Sequence, residues 1–101
     1  MNGYALHGLL YDVPFTVVDT FTDDEQAVVK LQYQYRGSDK GYPFHYDCII
    51  TYTLKKENTL TLSTVIINTG KGLMPVQDGW HPYFRFGNTV DELQLEFQSK
   101  E

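Results

Sequence analysis

"Y46-D-C-I-I-T-Y-T-L-K-K-E-N-T-L-T-L-S-T-V-I-I-N68" decides the fold class. Its apolar residues recur with period two, the spacing at which strand side chains alternate between faces. Cys48, Ile50, Tyr52 and Leu54 share one side of the first run, and Leu60, Leu62, Thr64 and Ile66 share one side of the second. The polar loop Lys55-Lys56-Glu57-Asn58 lies between them, so the stretch predicts an antiparallel hairpin. Ile49, Val65 and Ile67 fall on the opposite side, which predicts a second sheet as cover.

Outward from the hairpin, Ala27 to Arg36 repeats the pattern. Val29, Leu31, Tyr33 and Tyr35 share one face, and Lys30, Gln32, Gln34 and Arg36 the other. Gly37-Ser38-Asp39-Lys40-Gly41 and Asn68-Thr69-Gly70-Lys71-Gly72 carry turn chemistry. Leu93, Leu95 and Phe97 alternate as a last strand, and Thr22-Asp23-Asp24-Glu25-Gln26 is the only stretch resembling a helix start, too short to build a helix on. Alanine occurs only at Ala5 and Ala27, while Thr, Val, Ile and Tyr fill the candidate strands. The expectation is an all-β chain, an antiparallel β-sandwich forming a single unit over residues 1–101, with no internal repeat or dividing linker.

Bulk properties exclude several classes. A chain of 101 residues builds one core, and 42% hydrophobic with 21% charged residues is ordinary for a folded protein. A net charge of -5 with scattered Lys and Arg gives no surface for nucleic acid. No run approaches the roughly 20 apolar residues of a membrane helix, and no secretory leader is visible. The single Cys48 sits in an apolar run and reads as a small buried hydrophobe, which fits a reducing, cytoplasmic setting. There is no phosphate-cradling glycine loop and no nucleophile elbow.

Three histidines occur, His7, His45 and His81, with no cysteine or second histidine close to any of them; no metal site is expected. His45 reads as a strand-end residue. His81 lies in "D78-G-W-H-P-Y-F-R-F86", where it is open to two readings. It is either a packed histidine among Trp80, Tyr83 and Phe84, or the polar centre of a ligand surface. For the second reading, Gly79 permits close approach, Pro82 fixes the local turn, and Trp80 and Tyr83 present flat apolar faces with polar edges of the kind that bind sugars. Imidazole exchanges protons near neutral pH, as chemistry at a sugar hemiacetal requires.

The runs "A5-L-H-G-L-L-Y-D-V-P-F-T-V17", "Y42-P-F-H-Y-D", "T51-Y-T-L" and "V65-I-I-N-T-G", leading into "M74-P-V-Q-D-G-W-H-P-Y-F84", resemble the aldose 1-epimerase (galactose mutarotase) family in content and order. The combination of H-G, N-T-G and G-W-H-P-Y-F is far more specific than any one of them. The resemblance implies part of the large mutarotase-like β-supersandwich and an isomerase that interconverts the α and β anomers of an aldohexose. A glutamate base takes the anomeric proton while a histidine protonates the ring oxygen. By motif position, His81 corresponds to that acid and His7 to the second histidine of the pocket, with Trp80 and Tyr83 as further substrate contacts. No cofactor is implied.

No residue here matches the family's catalytic glutamate or its sugar-binding arginine. Asp91, Glu92, Glu96 and Glu101 lie in or beside the expected last strand and match no motif. The expectation is therefore an incomplete segment with little activity of its own, self-associating through exposed strand edges. The rival reading is a noncatalytic carbohydrate-binding β-sandwich; a third is a structural β-domain with its aromatics as core.

Overall fold

The computed structural model describes residues 7–87 and 89–99; Ala5, Leu6, Asn88 and Glu101 of the readings above lie outside them. Four strands, β1 (Thr16–Thr22), β2 (Gln26–Arg36), β3 (His45–Lys55) and β4 (Thr59–Asn68), form one open antiparallel sheet in the order β1-β2-β3-β4. Each strand pairs with the next in sequence, so the connections are short. The all-β architecture agrees with the sequence and is consistent with part of a β-sandwich.

Register explains where the core sits. Tyr35 pairs with Tyr46, Tyr33 with Cys48, Leu31 with Ile50 and Val29 with Tyr52. Across the next ladder Cys48 pairs with Ile66, Ile50 with Thr64 and Tyr52 with Leu62. The predicted apolar sides of β2, β3 and β4 therefore merge into one continuous face, and a slip of one residue would turn all of it to solvent. Tyr35, Tyr46, Cys48 and Ile50 are its buried centre, with Leu9, Leu10, Phe15, Tyr42 and Met74 packed over them from the flanking segments.

Tyrosines fasten those segments to the sheet. Tyr35 and Tyr46 stack with ring centroids 4.9 Å apart. The Tyr35 hydroxyl donates to the Tyr42 carbonyl at 2.9 Å and accepts the Asp39 amide at 3.0 Å, closing the β2–β3 loop. The Tyr42 hydroxyl in turn donates to the Pro75 carbonyl, tying down the segment beyond β4.

Two expectations change, and the one helix-like stretch resolves as a turn. The acidic run Thr22 to Gln26 is the β1–β2 turn rather than a helix start: the Asp23 carboxylate accepts the amides of Glu25 and Gln26 at 2.8 and 2.9 Å. A carboxylate that would cap a helix serves a turn equally well. Leu93, Leu95 and Phe97 form no strand; they follow a single 3-10 turn at Val90–Glu92 and have no ladder partner among the described residues. The second sheet expected over Ile49, Val65 and Ile67 is also not found among the described residues, and Val65 and Ile67 stay exposed. On that side Arg36 pairs with Asp47 at 2.9 Å.

Burial, ahead of the neighbouring Cys48, Tyr42, Tyr35 and Tyr33, pushes the Tyr46 hydroxyl up from 10.0 to about 12. A raised value means the fold favours the protonated phenol. The corresponding stability is complete below pH 10.0 and is lost as pH rises through about 12. Urea midpoints measured across that window are expected to fall in the parent chain and to fall less in Tyr46→Phe; parallel losses in the two proteins would refute the assignment.

Candidate functional site

The run Gly79 to Phe84 adopts no regular secondary structure and is held at Trp80. The Trp80 indole N–H donates to the Thr64 hydroxyl at 3.2 Å, and its ring stands edge-on to Tyr52 at 6.4 Å and 85°. Thr64 and Tyr52 both belong to the core-side face, so the indole lies across β3 and β4. It remains 48% exposed, a flat surface with one edge anchored.

One residue further on, the His81 ring stacks on Tyr83 with centroids 5.0 Å apart and planes at 28°. Both residues are exposed, Tyr83 at 89%. Of the three rings named in the packed-histidine reading, only Tyr83 stacks on His81 among the described residues. A Cβ added at Gly79 would meet nothing within 4 Å, so no other part of the described chain approaches closely there. Beyond Tyr83, Phe84 and Phe86 stack at 6.2 Å and 13°.

His7 presents a different geometry. Its φ of 62° and the 72° of Gly8 are two consecutive left-handed residues, sterically open to glycine and costly for histidine. The ring sits 6.0 Å from Tyr11 and is exposed. The structure thus pairs His81 with Tyr83, Trp80 with Thr64 and Tyr52, and His7 with Tyr11. Among the described residues no ring contact or hydrogen bond joins His7 to His81. His45 is the first residue of β3, as the sequence predicts.

The segment before Trp80 also crosses the core side. Burial and then the Asp78 carboxylate raise the Cys48 thiol, which is fully buried and inert. An open depression of about 350 Å³ lies at the far end of the sheet between Pro43–His45 and Asn68–Gly72, and a second of about 270 Å³ beside Gln32 and Tyr33. Neither includes His7, Trp80, His81 or Tyr83. No group of three or more metal-ligating side chains occurs among the described residues, and no described helix is long and apolar enough to cross a membrane.

Two residues of this neighbourhood are not expected at the site: Tyr52 lies within T51-Y-T-L but carries no assigned role, and Thr64 lies in none of the runs that carry the resemblance. Their signal in the sequence is their shared face in the hairpin, which places them under whatever packs there.

A family model described as aldose 1-epimerase matches residues 2–101. No solved structure matches the chain.

Trp80 is the only tryptophan, so its fluorescence reports the anchor directly. Thr64→Val keeps the shape and removes the acceptor. The expected outcome is red-shifted emission, stronger acrylamide quenching and a stability loss of about 1 kcal/mol. Unchanged emission and quenching would show that the hydrogen bond does not position the indole.

Proposed function

The chain belongs to the aldose 1-epimerase family, and from that premise we propose that it serves the interconversion of the α and β anomers of an aldohexose by acid/base ring opening. His81 is the proton donor to the ring oxygen. His7 hydrogen-bonds the sugar beside that oxygen, and Trp80 and Tyr83 provide the apolar surfaces against which the pyranose lies.

The reaction is redox-neutral and moves only protons. A carboxylate base takes the proton of the anomeric hydroxyl as His81 delivers one to the ring oxygen. The bond between the ring oxygen and the anomeric carbon breaks, and that carbon becomes an aldehyde. Rotation and reclosure from the other face return both protons. The ring oxygen gains basicity as its bond lengthens, so a positioned N–H donor stabilises the transition state more than the bound sugar.

The observation that carries this reading is the presentation of G-W-H-P-Y-F: an anchored indole with a free face, followed at once by a solvent-facing imidazole on a tyrosine ring. No carboxylate within residues 1–101 is assigned as the base. Asp91, Glu92 and Glu96 lie in and after the 3-10 turn, and none of them is hydrogen-bonded or ion-paired to either histidine among the described residues. That same observation favours the second reading, a sugar-binding module without turnover.

One pair of measurements separates these readings. Titration with glucose or galactose is expected to move the His81 and His7 imidazole NMR signals, and His81→Ala to weaken binding. Polarimetry on α-glucose and α-galactose is expected to stay close to the spontaneous rate for this chain alone. A small excess over the spontaneous rate that His81→Ala removes would favour the catalytic reading over the binding module, turnover that survives His81→Ala would overturn the catalytic assignment, and no binding at all would remove both sugar readings.

A further inference from the structure

Asp78 is the only aspartate of the chain that is followed by glycine. That pairing has a chemistry of its own. The amide nitrogen of the following residue can close on the aspartate carboxyl carbon, and glycine, having no Cβ, opposes the closure least. A fold suppresses the reaction by holding the carboxylate, by bonding the amide, or by fixing the backbone in a strand.

None of these restraints acts on Asp78 among the described residues. Its carboxylate accepts no hydrogen bond and joins no ion pair, and the Gly79 N–H donates to no backbone acceptor. Both residues are exposed, and the stretch from Leu73 to Phe86 adopts no regular secondary structure. Other aspartates are held. Asp23 and Asp39 accept local amides, Asp47 pairs with Arg36, and Asp19 lies within β1.

We infer that Asp78-Gly79 is a site of spontaneous isomerisation from aspartate to isoaspartate, and that the conversion re-spaces the Trp80–His81 run against its anchor. The inference is independent of the sugar chemistry above.

The step needs no reactant but water. The Gly79 nitrogen attacks Cγ of Asp78; the N–Cγ bond forms as a C–O bond breaks, and the departing oxygen leaves as water with the amide proton and one proton from solvent. The product is a cyclic succinimide. Water adding at its side-chain carbonyl breaks the new bond and restores aspartate. Water adding at its main-chain carbonyl breaks the original peptide bond and leaves isoaspartate. One carboxylate is present before and after, but the backbone now runs through Cβ and Cγ of Asp78 and is one atom longer. That atom falls between two anchors, the Tyr42 hydroxyl on the Pro75 carbonyl and the Trp80 indole on Thr64. It changes the path that lays the indole across the sheet.

The test uses the full chain, kept folded at physiological temperature in heavy-oxygen water. The tryptic peptide Gly72–Arg85, which contains no other aspartate and no asparagine, is followed by chromatography and mass spectrometry. A second species is expected that carries one heavy oxygen and resists a protease cleaving before aspartate. It should form nearly as fast as in the same chain unfolded in guanidinium chloride. Formation more than about tenfold slower in the folded chain would mean that the reaction waits on local opening, and overturns the proposal. Gly79→Ala has room for its methyl group and no left-handed φ to strain, and is expected to slow the conversion several-fold. Conversion at the parent rate in that variant also overturns the proposal. Asp78→Glu, whose ring would be one atom larger, is expected to abolish it. Trp80 emission is expected to drift as isoaspartate accumulates in the parent and to stay constant in Asp78→Glu; converted chain with unchanged emission overturns the re-spacing.

Discussion

The pairing of Tyr35 with Tyr46 across β2 and β3 sets everything downstream of it. That register points Tyr33, Leu31, Cys48 and Ile50 to the same side and stacks two phenol rings at the end where the β2–β3 loop returns. The Tyr35 hydroxyl then meets a donor and an acceptor of that loop, so the apolar face and the polar closure come from one side chain. Tyr42, placed by this closure, reaches Pro75 and begins the path toward Trp80. The position of the aromatic run follows from a ladder contact some forty residues earlier in the chain.

What the sequence revealed divides along physical lines. Strict alternation in β2, β3 and β4 was legible because every second residue meets the same layer of side chains. β1 was not, since the adjacent Val17 and Val18 break the period at the bulge, and a bulge has no composition of its own. Asp23 resembles a helix start because capping a helix and closing a turn use the same carboxylate-to-amide bonds. Leu93, Leu95 and Phe97 show the limit of periodicity itself: alternation fits a strand, but a strand also needs a neighbour, and none of the described residues supplies one.

At the candidate site, the motif singled out His81, Trp80 and Tyr83 as proposed sugar contacts, and all three are exposed. It did not reveal what fixes them. Thr64 looks like any small polar residue on a strand until an indole is laid over it, and the left-handed backbone at His7 has no sequence signal beyond the glycine that follows. Packing partners of this kind depend on which face of the sheet a flanking segment crosses, and composition does not encode that choice.

Between Pro75, clasped by Tyr42, and Trp80, clasped by Thr64, the polypeptide is suspended from two posts. His81 is the first residue past the second post, so its Cα lies one peptide unit, about 3.8 Å, from that of Trp80. The imidazole therefore starts one residue beyond an anchored side chain, ahead of the long irregular stretch that follows. Aim, for this histidine, is inherited from the indole.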